Sequence, residues 1–250
     1  MSKLQTINIL NVPVAPFSMQ QTLTYLTSRL DAREKTCVVT ANAEIIMLGQ
    51  QDSEYMKILQ KATLVLPDGA GTVWAGRALG YNVPERVAGF DLFLELIKIS
   101  ASKKYKVFFF GSAPGVADIA KKECEKMAPG IEIVGTRNGY FKEDEVATII
   151  DEINNSGANI LFAALGAPKQ EFWLDKNYDK INADLCMGIG GSFDVLAGKM
   201  ERAPKWMQEA SLEWFFRLYK QPSRFVRMLA LPHFVIKVLH KKYWGKLLDK

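Results

Sequence analysis

Histidine is nearly absent from this chain. Its two residues, His233 and His240, both fall near the C-terminus, so the main body must carry out any acid–base chemistry with other groups. Cysteine is almost as scarce. Cys37, Cys124 and Cys186 lie far apart, and Cys37 and Cys186 sit inside apolar runs. Such spacing suits neither a zinc site nor a disulfide framework, and reads as three reduced thiols of a cytoplasmic protein. No run of about 18 uncharged apolar residues occurs, so no membrane-spanning helix is expected. The start of the chain, Met1-Ser2-Lys3-Leu4, lacks a basic region followed by an apolar core, and a signal peptide is not expected. No GxxxxGK[ST] motif is present, which argues against a nucleotide triphosphatase. The glycine clusters at 111–115 and 188–191 do not match GxGxxG, which argues against a nicotinamide cofactor.

What is present is an ordinary soluble composition with an uneven charge. At 250 residues, 48% hydrophobic, the chain can form one large domain, or a domain and an appendage. Residues 199–250 hold 12 Lys/Arg against 4 Asp/Glu, whereas residues 1–198 hold 20 against 23. All of the basic excess therefore lies in the last fifth, interleaved with Trp206, Trp214, Trp244, Phe215, Phe216, Tyr219, Phe225, Phe234 and Tyr243. Cations among aromatics suit a membrane surface or a nucleic acid. The acidic main body argues against a nucleic-acid groove across it.

Strand and helix patterns alternate up to about residue 199. Strands are predicted at 7–12, 36–40, 63–66, 105–110, 131–135, 159–165 and 183–189. Between them run helices predicted at 18–32, 43–50, 53–61, 69–79, 89–101, 114–127, 142–155 and 168–180. Such alternation implies right-handed crossovers and an α/β, Rossmann-like parallel sheet with helices on both faces. After about Met200 the pattern is helical only, punctuated by Pro204, Pro222 and Pro232. We read 1–199 as the core and 200–250 as an appendage of two or three helices, too short for a large core of its own. Arg217, Lys220, Arg224 and Arg227 would form one cationic stripe on a continuous helix, which Pro222 could break. Beyond Pro232, apolar and lysine residues alternate so that the helix could lie in a membrane interface or dock on the sheet domain.

Open α/β sheets bind ligands beyond the carboxyl ends of their strands. Nearly every predicted strand here ends in glycine or a small polar residue: 40–42, 67–69, 111–113, 137–140, 166–170 and 188–194. Glycine lets backbone N–H groups approach a phosphate or sugar, and a following helix N-terminus favours the anion. Any one of these loops could be a turn and nothing more. Six on one sheet edge make a ligand crevice the better account. The run 64–69 is the most informative, because it delivers Asp68 between Pro67 and Gly69. That carboxylate could be a base, a ligand clamp or a turn residue. Asn42 is equally placed as an N-cap, with Thr40 beside it. Arg86 could reach the crevice from a loop, Asp91 could cap a helix or bind a hydroxyl, Gln170 could donate to a ligand, and Asp194 could accept ribose hydroxyls.

Taken together, the stretches 40–44 (Thr-Ala-Asn-Ala-Glu), 66–69 (Leu-Pro-Asp-Gly), 86–91 (Arg-Val-Ala-Gly-Phe-Asp), 166–171 (Gly-Ala-Pro-Lys-Gln-Glu), 188–194 (Gly-Ile-Gly-Gly-Ser-Phe-Asp), 202–206 and 213–218 are specific in their order. The chain resembles the WecG/TagA/CpsF glycosyltransferases, glycosyltransferase family 26, over essentially its whole length. The resemblance implies an inverting, metal-independent and cofactor-free transfer from a UDP-sugar to a lipid-linked sugar at the cytoplasmic membrane surface. In the teichoic-acid branch the donor is UDP-N-acetylmannosamine and the acceptor undecaprenyl-diphosphate-N-acetylglucosamine. It places the catalytic carboxylate on Asp68 and neighbouring active-site groups on Thr40, Asn42, Arg86 and Gln170. It places appendage arginines on Arg217, Arg224 and Arg227. We take Gly111, Gly166, Lys169, Gly188, Gly190, Gly191 and Asp194 as the UDP-sugar cradle. The chemistry agrees: one base must accept the proton of the attacking hydroxyl, and the departing UDP must be stabilised. The chain has no Asp-x-Asp to hold a metal, so arginines would serve. Apolar surface near 206–248 could also pair subunits into a homo-oligomer. The alternative readings are a related transferase using another UDP-sugar, of N-acetylmannosaminuronic acid or glucose, and a non-catalytic nucleotide or nucleic-acid binding module; a nucleotide-sugar epimerase is a distant one.

Overall fold

The computed structural model describes residues 4–248 except Ser211, Gln221, Ser223 and Arg224; the side chains of Arg217, Val226, Arg227 and residues 245–248 also lie outside it. An antiparallel hairpin comes first, β1 (Ile7–Ile9) and β2 (Val12–Val14). This corrects the expectation of one strand over 7–12. Leu10 and Asn11 adopt positive φ, 48° and 67°, and the Asn11 N–H donates to Asn8 Oδ1 at 2.9 Å. An asparagine-stabilised turn thus folds the apolar run back on itself.

The core then alternates as α1 (Met19–Asp31), β3 (Thr36–Ala41), α2 (Ala43–Gln51), α3 (Ser53–Lys61), β4 (Leu64–Pro67), α4 (Ala70–Ala78), α5 (Gly89–Lys103), β5 (Lys106–Gly111) and α6 (Val116–Met127). It continues with β6 (Glu132–Arg137), α7 (Val146–Asn155), β7 (Ile160–Ala164), α8 (Lys169–Asn177), β8 (Leu185–Gly188) and a short α9 (Ser192–Leu196). Pro114 does not open α6: Gly115, at φ +80°, precedes it instead.

Six strands form one all-parallel sheet in the order β4-β3-β8-β7-β5-β6. Every residue of β4, β7 and β8 is buried, as continuous apolar runs require when helices cover both faces. Strand β5 makes the two faces visible. Val107 and Phe109 pack with α1, α5 and α6, while Phe108 and Phe110 pack with α7 and α8. On the first face Phe93, Phe109, Phe162 and Phe193 form one aromatic cluster, with centroids 4.8 Å apart for Phe93–Phe162 and 4.5 Å for Phe109–Phe193. This cluster anchors α9, and with it the loop that precedes it.

Beyond residue 200 the described helices are α10 (Lys205–Glu209), α11 (Glu213–Lys220), α12 (Phe225–Met228) and α13 (Ala230–Leu248). Arg217 belongs to α11 and Arg227 to α12, two separate elements; Arg224 lies outside the described residues. Pro204 directly precedes α10, and Pro232 sits in the first turn of α13, where its missing N–H costs nothing. Helix α13 returns to the core. It packs on α2 and α4, and Phe234 and Val238 are fully buried with Ile46 and Val73. Of the two roles open to this helix, docking on the sheet domain accounts for these residues. Phe234→Ala is expected to lower unfolding stability by about 3 kcal/mol in urea titrations. A loss below about 1 kcal/mol would show that α13 is not part of the cooperative core.

Candidate active site

Strands β3 and β8 are neighbours, with Val38 opposite Met187, and the helices that follow them, α2 and α9, pack on opposite faces of the sheet. That divergence leaves room for a crevice at the carboxyl ends of the strands. A cavity of about 430 Å³ lies there. Its lining comes from the ends of β3 and β4 (Thr40, Asn42 and Asp68), the turn at 165–170, the loop at 188–192, residues 200–203 and Glu213.

Asp68 is set by backbone geometry. Its N–H donates to Ala41 O at 3.1 Å, which extends the β3–β4 pairing by one residue. Gly69 follows at φ +90° and turns the chain straight into α4. Buried Thr72 donates its hydroxyl to Ala41 O at 2.9 Å and so ties α4 to the end of β3. The Val87 N–H donates to Pro67 O at 3.0 Å, which draws the 80–88 loop across the tip of β4. Thr40 is buried beneath the first turn of α5, where a Cβ on Gly89 would come within 2.7 Å of its Oγ1. Asn42 both lines the crevice and caps α2, its Oδ1 accepting from the Ile45 N–H at 3.0 Å.

The facing wall is built from glycine. Gly166 and Gly190 take φ of +76° and +54°, and Gly188 leaves room for the Gln170 side chain, which a Cβ there would meet at 2.6 Å. Gln170 is buried; its Oε1 accepts from the Gly190 N–H at 3.0 Å and its Nε2 donates to Glu171 Oε1 at 2.7 Å. Burial pushes the Glu171 carboxyl well above the ordinary carboxylate range. Tyr55 lies close enough to perturb that carboxyl, but neither Tyr55 Oη nor Glu171 Oε2 has a partner in hydrogen-bonding geometry. The three cysteines are free, and burial raises the Cys37 and Cys124 thiols to about 12, so neither is a ready nucleophile.

Nine of the expected site residues share this crevice: Thr40, Asn42, Asp68, Gly166, Lys169, Gln170, Gly188, Gly190 and Gly191. Three described ones do not line it. Arg86 is half-buried and pairs with Glu213, which does line it, at 2.9 Å. Asp194 accepts from Ser112 Oγ at 3.1 Å. Gly111 ends β5 at φ +127°, where a Cβ would sit 2.4 Å from Ala164 O, a sufficient structural reason for glycine. Arg217 and Arg227 are placed by backbone only, and Arg224 lies outside the described residues. Sequence reasoning missed Glu44, Phe90, Met200 and Arg202 as lining. Arg202 pairs bidentately with Asp91, at 2.7 and 2.8 Å, and its guanidinium lies over the Phe90 ring. Its signal was the 202–206 stretch, which carried weight as a motif while its individual residues did not. Among the described residues no three His, Cys, Asp or Glu side chains converge as metal ligands, and no helix is long and apolar enough to cross a membrane.

Fold and crevice together define the class: a Rossmann-like α/β enzyme presenting a strand-end carboxylate to a glycine-lined cradle. Comparison with known proteins supplies the family. The sequence model of the glycosyl transferase WecG/TagA/CpsF family matches residues 7–247, and the chain belongs to that family. It is 38% identical over 231 residues to an N-acetylglucosaminyldiphosphoundecaprenol N-acetyl-beta-D-mannosaminyltransferase of Bacillus spizizenii (strain ATCC 23059 / NRRL B-14472 / W23), covering 90% of this chain and 89% of that protein. A protein of the same name from Bacillus subtilis (strain 168) is 31% identical over 240 residues, covering 96% and 93%.

Glu171 gives this site a pH signature. A carboxyl whose folded pKa is raised binds its proton more tightly in the folded state. Its contribution to stability is full below the unfolded value of 4.5 and is lost as pH rises through the folded value. Glu171→Gln, which cannot ionise, is expected to flatten the fall in stability above pH 4.5 and to exceed the parent in stability at pH 8, read from urea unfolding across that range. Identical pH profiles would mean that Glu171 titrates as if exposed.

Proposed function

We propose that this chain transfers N-acetylmannosamine from UDP-N-acetylmannosamine to undecaprenyl-diphosphate-linked N-acetylglucosamine, with inversion at the anomeric carbon, in the synthesis of teichoic acid or another surface polymer. Family membership and the names of the two relatives support the substrates. The observation that carries the chemistry is that Asp68 and the glycine loops at 166–170 and 188–191 line one crevice. In this reading the acceptor hydroxyl oxygen attacks the anomeric carbon as its proton passes to Asp68. The bond from that carbon to the diphosphate oxygen breaks, and UDP leaves with the electron pair. Thr40 and Asn42 position the sugar beside the base. The glycine loops let the diphosphate approach the start of α8 closely, with Lys169 beside it. Arg86, Arg217, Arg224 and Arg227 take the charge that builds on the leaving group, in the role a metal ion has elsewhere.

The same reading places the enzyme on the inner face of the cell membrane, where its lipid-linked acceptor lies. Trp206, Trp214, Phe215, Tyr219, Phe225, Tyr243 and Trp244 are all exposed, on the segment that holds the basic excess. Aromatic and cationic side chains together suit an anionic lipid interface.

Three measurements test these claims. Asp68→Asn is expected to reduce transfer by about 10²- to 10⁴-fold while calorimetric UDP binding stays within about two-fold; near-normal turnover would remove Asp68 as the base. Assayed against a panel of UDP-sugars, the native enzyme is expected to prefer the N-acetylmannosamine donor and to be insensitive to chelator. Vesicles rich in anionic phospholipid are expected to sediment the native protein in a salt-sensitive way, and the triple variant Arg217→Gln/Arg224→Gln/Arg227→Gln less completely. Point variants suit this test better than truncation after Met200, which would also strip Phe234 and Val238 from the core.

A further inference from the structure

Glu171 is a buried acid for which the transfer mechanism has no direct use. It is 4% exposed; its oxygen Oε2 makes no hydrogen bond of good geometry, although Tyr55 lies close enough to perturb the carboxyl. Leaving a buried polar atom in this state is destabilising, so an apolar side chain would serve better if this one only filled space. Its other oxygen has one visible use. Oε1 accepts from Gln170 Nε2 at 2.7 Å, and Gln170 Oε1 accepts from the Gly190 N–H at 3.0 Å. These two bonds fix which way the Gln170 amide faces. A flip would set its NH₂ against the Gly190 N–H, donor to donor, and its carbonyl against a carboxyl oxygen. Gly190 has no side chain of its own and sits at φ +54°, so the Gln170 carbonyl is what holds this part of the loop from the crevice's interior side. Gly188 completes the arrangement by leaving the space that the Gln170 side chain fills.

We propose that Glu171 is a positioning residue: its buried carboxyl locks the Gln170 amide, and through it the Gly188–Gly191 loop that cradles the donor diphosphate. The role needs an acceptor at this position and no charge. One hydrogen of the Gln170 NH₂ is committed to Glu171, which leaves the other for the donor. The elevated carboxyl pKa fits a neutral acid here. The inference rests on the reading of the crevice as a donor site, and deepens it.

The test uses Glu171→Leu and Glu171→Gln in the full chain, each checked for folding by thermal denaturation. In the leucine variant the Gly190 amide is expected to lose hydrogen-exchange protection and to shift in the ¹H–¹⁵N spectrum. kcat/KM for the donor should fall by roughly 10- to 100-fold, mostly through KM. The glutamine variant keeps an acceptor oxygen and should recover most of both. Adding Glu171→Leu to Gln170→Ala should cost nothing beyond Gln170→Ala alone, because the first change acts only through the second residue. An unchanged Gly190 amide in the leucine variant, additive losses in the double variant, or a glutamine variant as impaired as leucine would each overturn the proposal. If the leucine variant does not fold, Glu171→Met, with its adaptable side chain, takes its place in every arm. The Gly190 amide reports on positioning whatever the substrate. Transfer from UDP-N-acetylmannosamine by the native chain separately reports on the functional reading.

Discussion

The pairing of β3 with β8 is the constraint on which the rest depends. These strands are about 150 residues apart in sequence and lie side by side, Val38 against Met187. The helices that follow β3 and β8, α2 and α9, lie on opposite faces of the sheet and leave a gap above the strand ends. What lies in that gap is positioned by the strands and by the side chains packed around them. Asp68 continues the β3–β4 ladder, and the loop at 188–191 is fixed below by Phe193 in the aromatic cluster. Parallel strands need long crossovers, and the chain between these two contributes all the other strands of the sheet. The crevice therefore depends on the whole sheet.

Much of this was legible in the sequence, for a simple reason. Strands buried on both faces read as unbroken apolar runs, and β4, β7 and β8 are of that kind. The hairpin at 7–14 was not, because its two-residue turn, Leu10-Asn11, interrupts an apolar pattern with a single polar residue. Asp68 and the glycine loops were legible because turn residues at successive strand ends are visible without knowing the strand order. Glu171 was not. Within a helix it reads as one more charged residue, and only the packing of α8 against α3 shows it facing inward. Arg202 and Asp91 were missed as a pair because 111 residues separate them and neither has a local partner pattern.

The segment beyond residue 200 joins two kinds of contact that work at different strengths. Helix α13 is attached by burial of Phe234 and Val238, which salt does not weaken. Around the crevice the same segment is attached by ion pairs, Arg86–Glu213 and Arg202–Asp91, partly exposed and individually modest. The apolar anchor keeps α13 on the core, whereas the ion pairs at the crevice can be exchanged for a ligand's charges at small cost. Arg86 in particular already faces an anion, and a diphosphate is a stronger one for a guanidinium fork.

The proposed reading asks this crevice to bind a diphosphate beside a carboxylate. Asp68, Glu44, Glu201 and Glu213 all line the crevice, against Lys169 and Arg202. Arg202 is taken up by Asp91, and Glu201 by Lys220 at 2.7 Å. If Asp68 is the base, a cation fixed beside it would help a diphosphate bind but would also lower the basicity of that carboxylate. Oriented backbone dipoles, as at the start of α8, favour an anion without bringing a full charge near Asp68. Dipoles act only over short distances and along particular directions, so a cradle of this kind is as good as its loop is fixed. A glycine loop cannot fix itself. In the proposed reading the Gln170 side chain, which accepts from the Gly190 N–H at 3.0 Å, therefore contributes to anion binding by holding the loop in place.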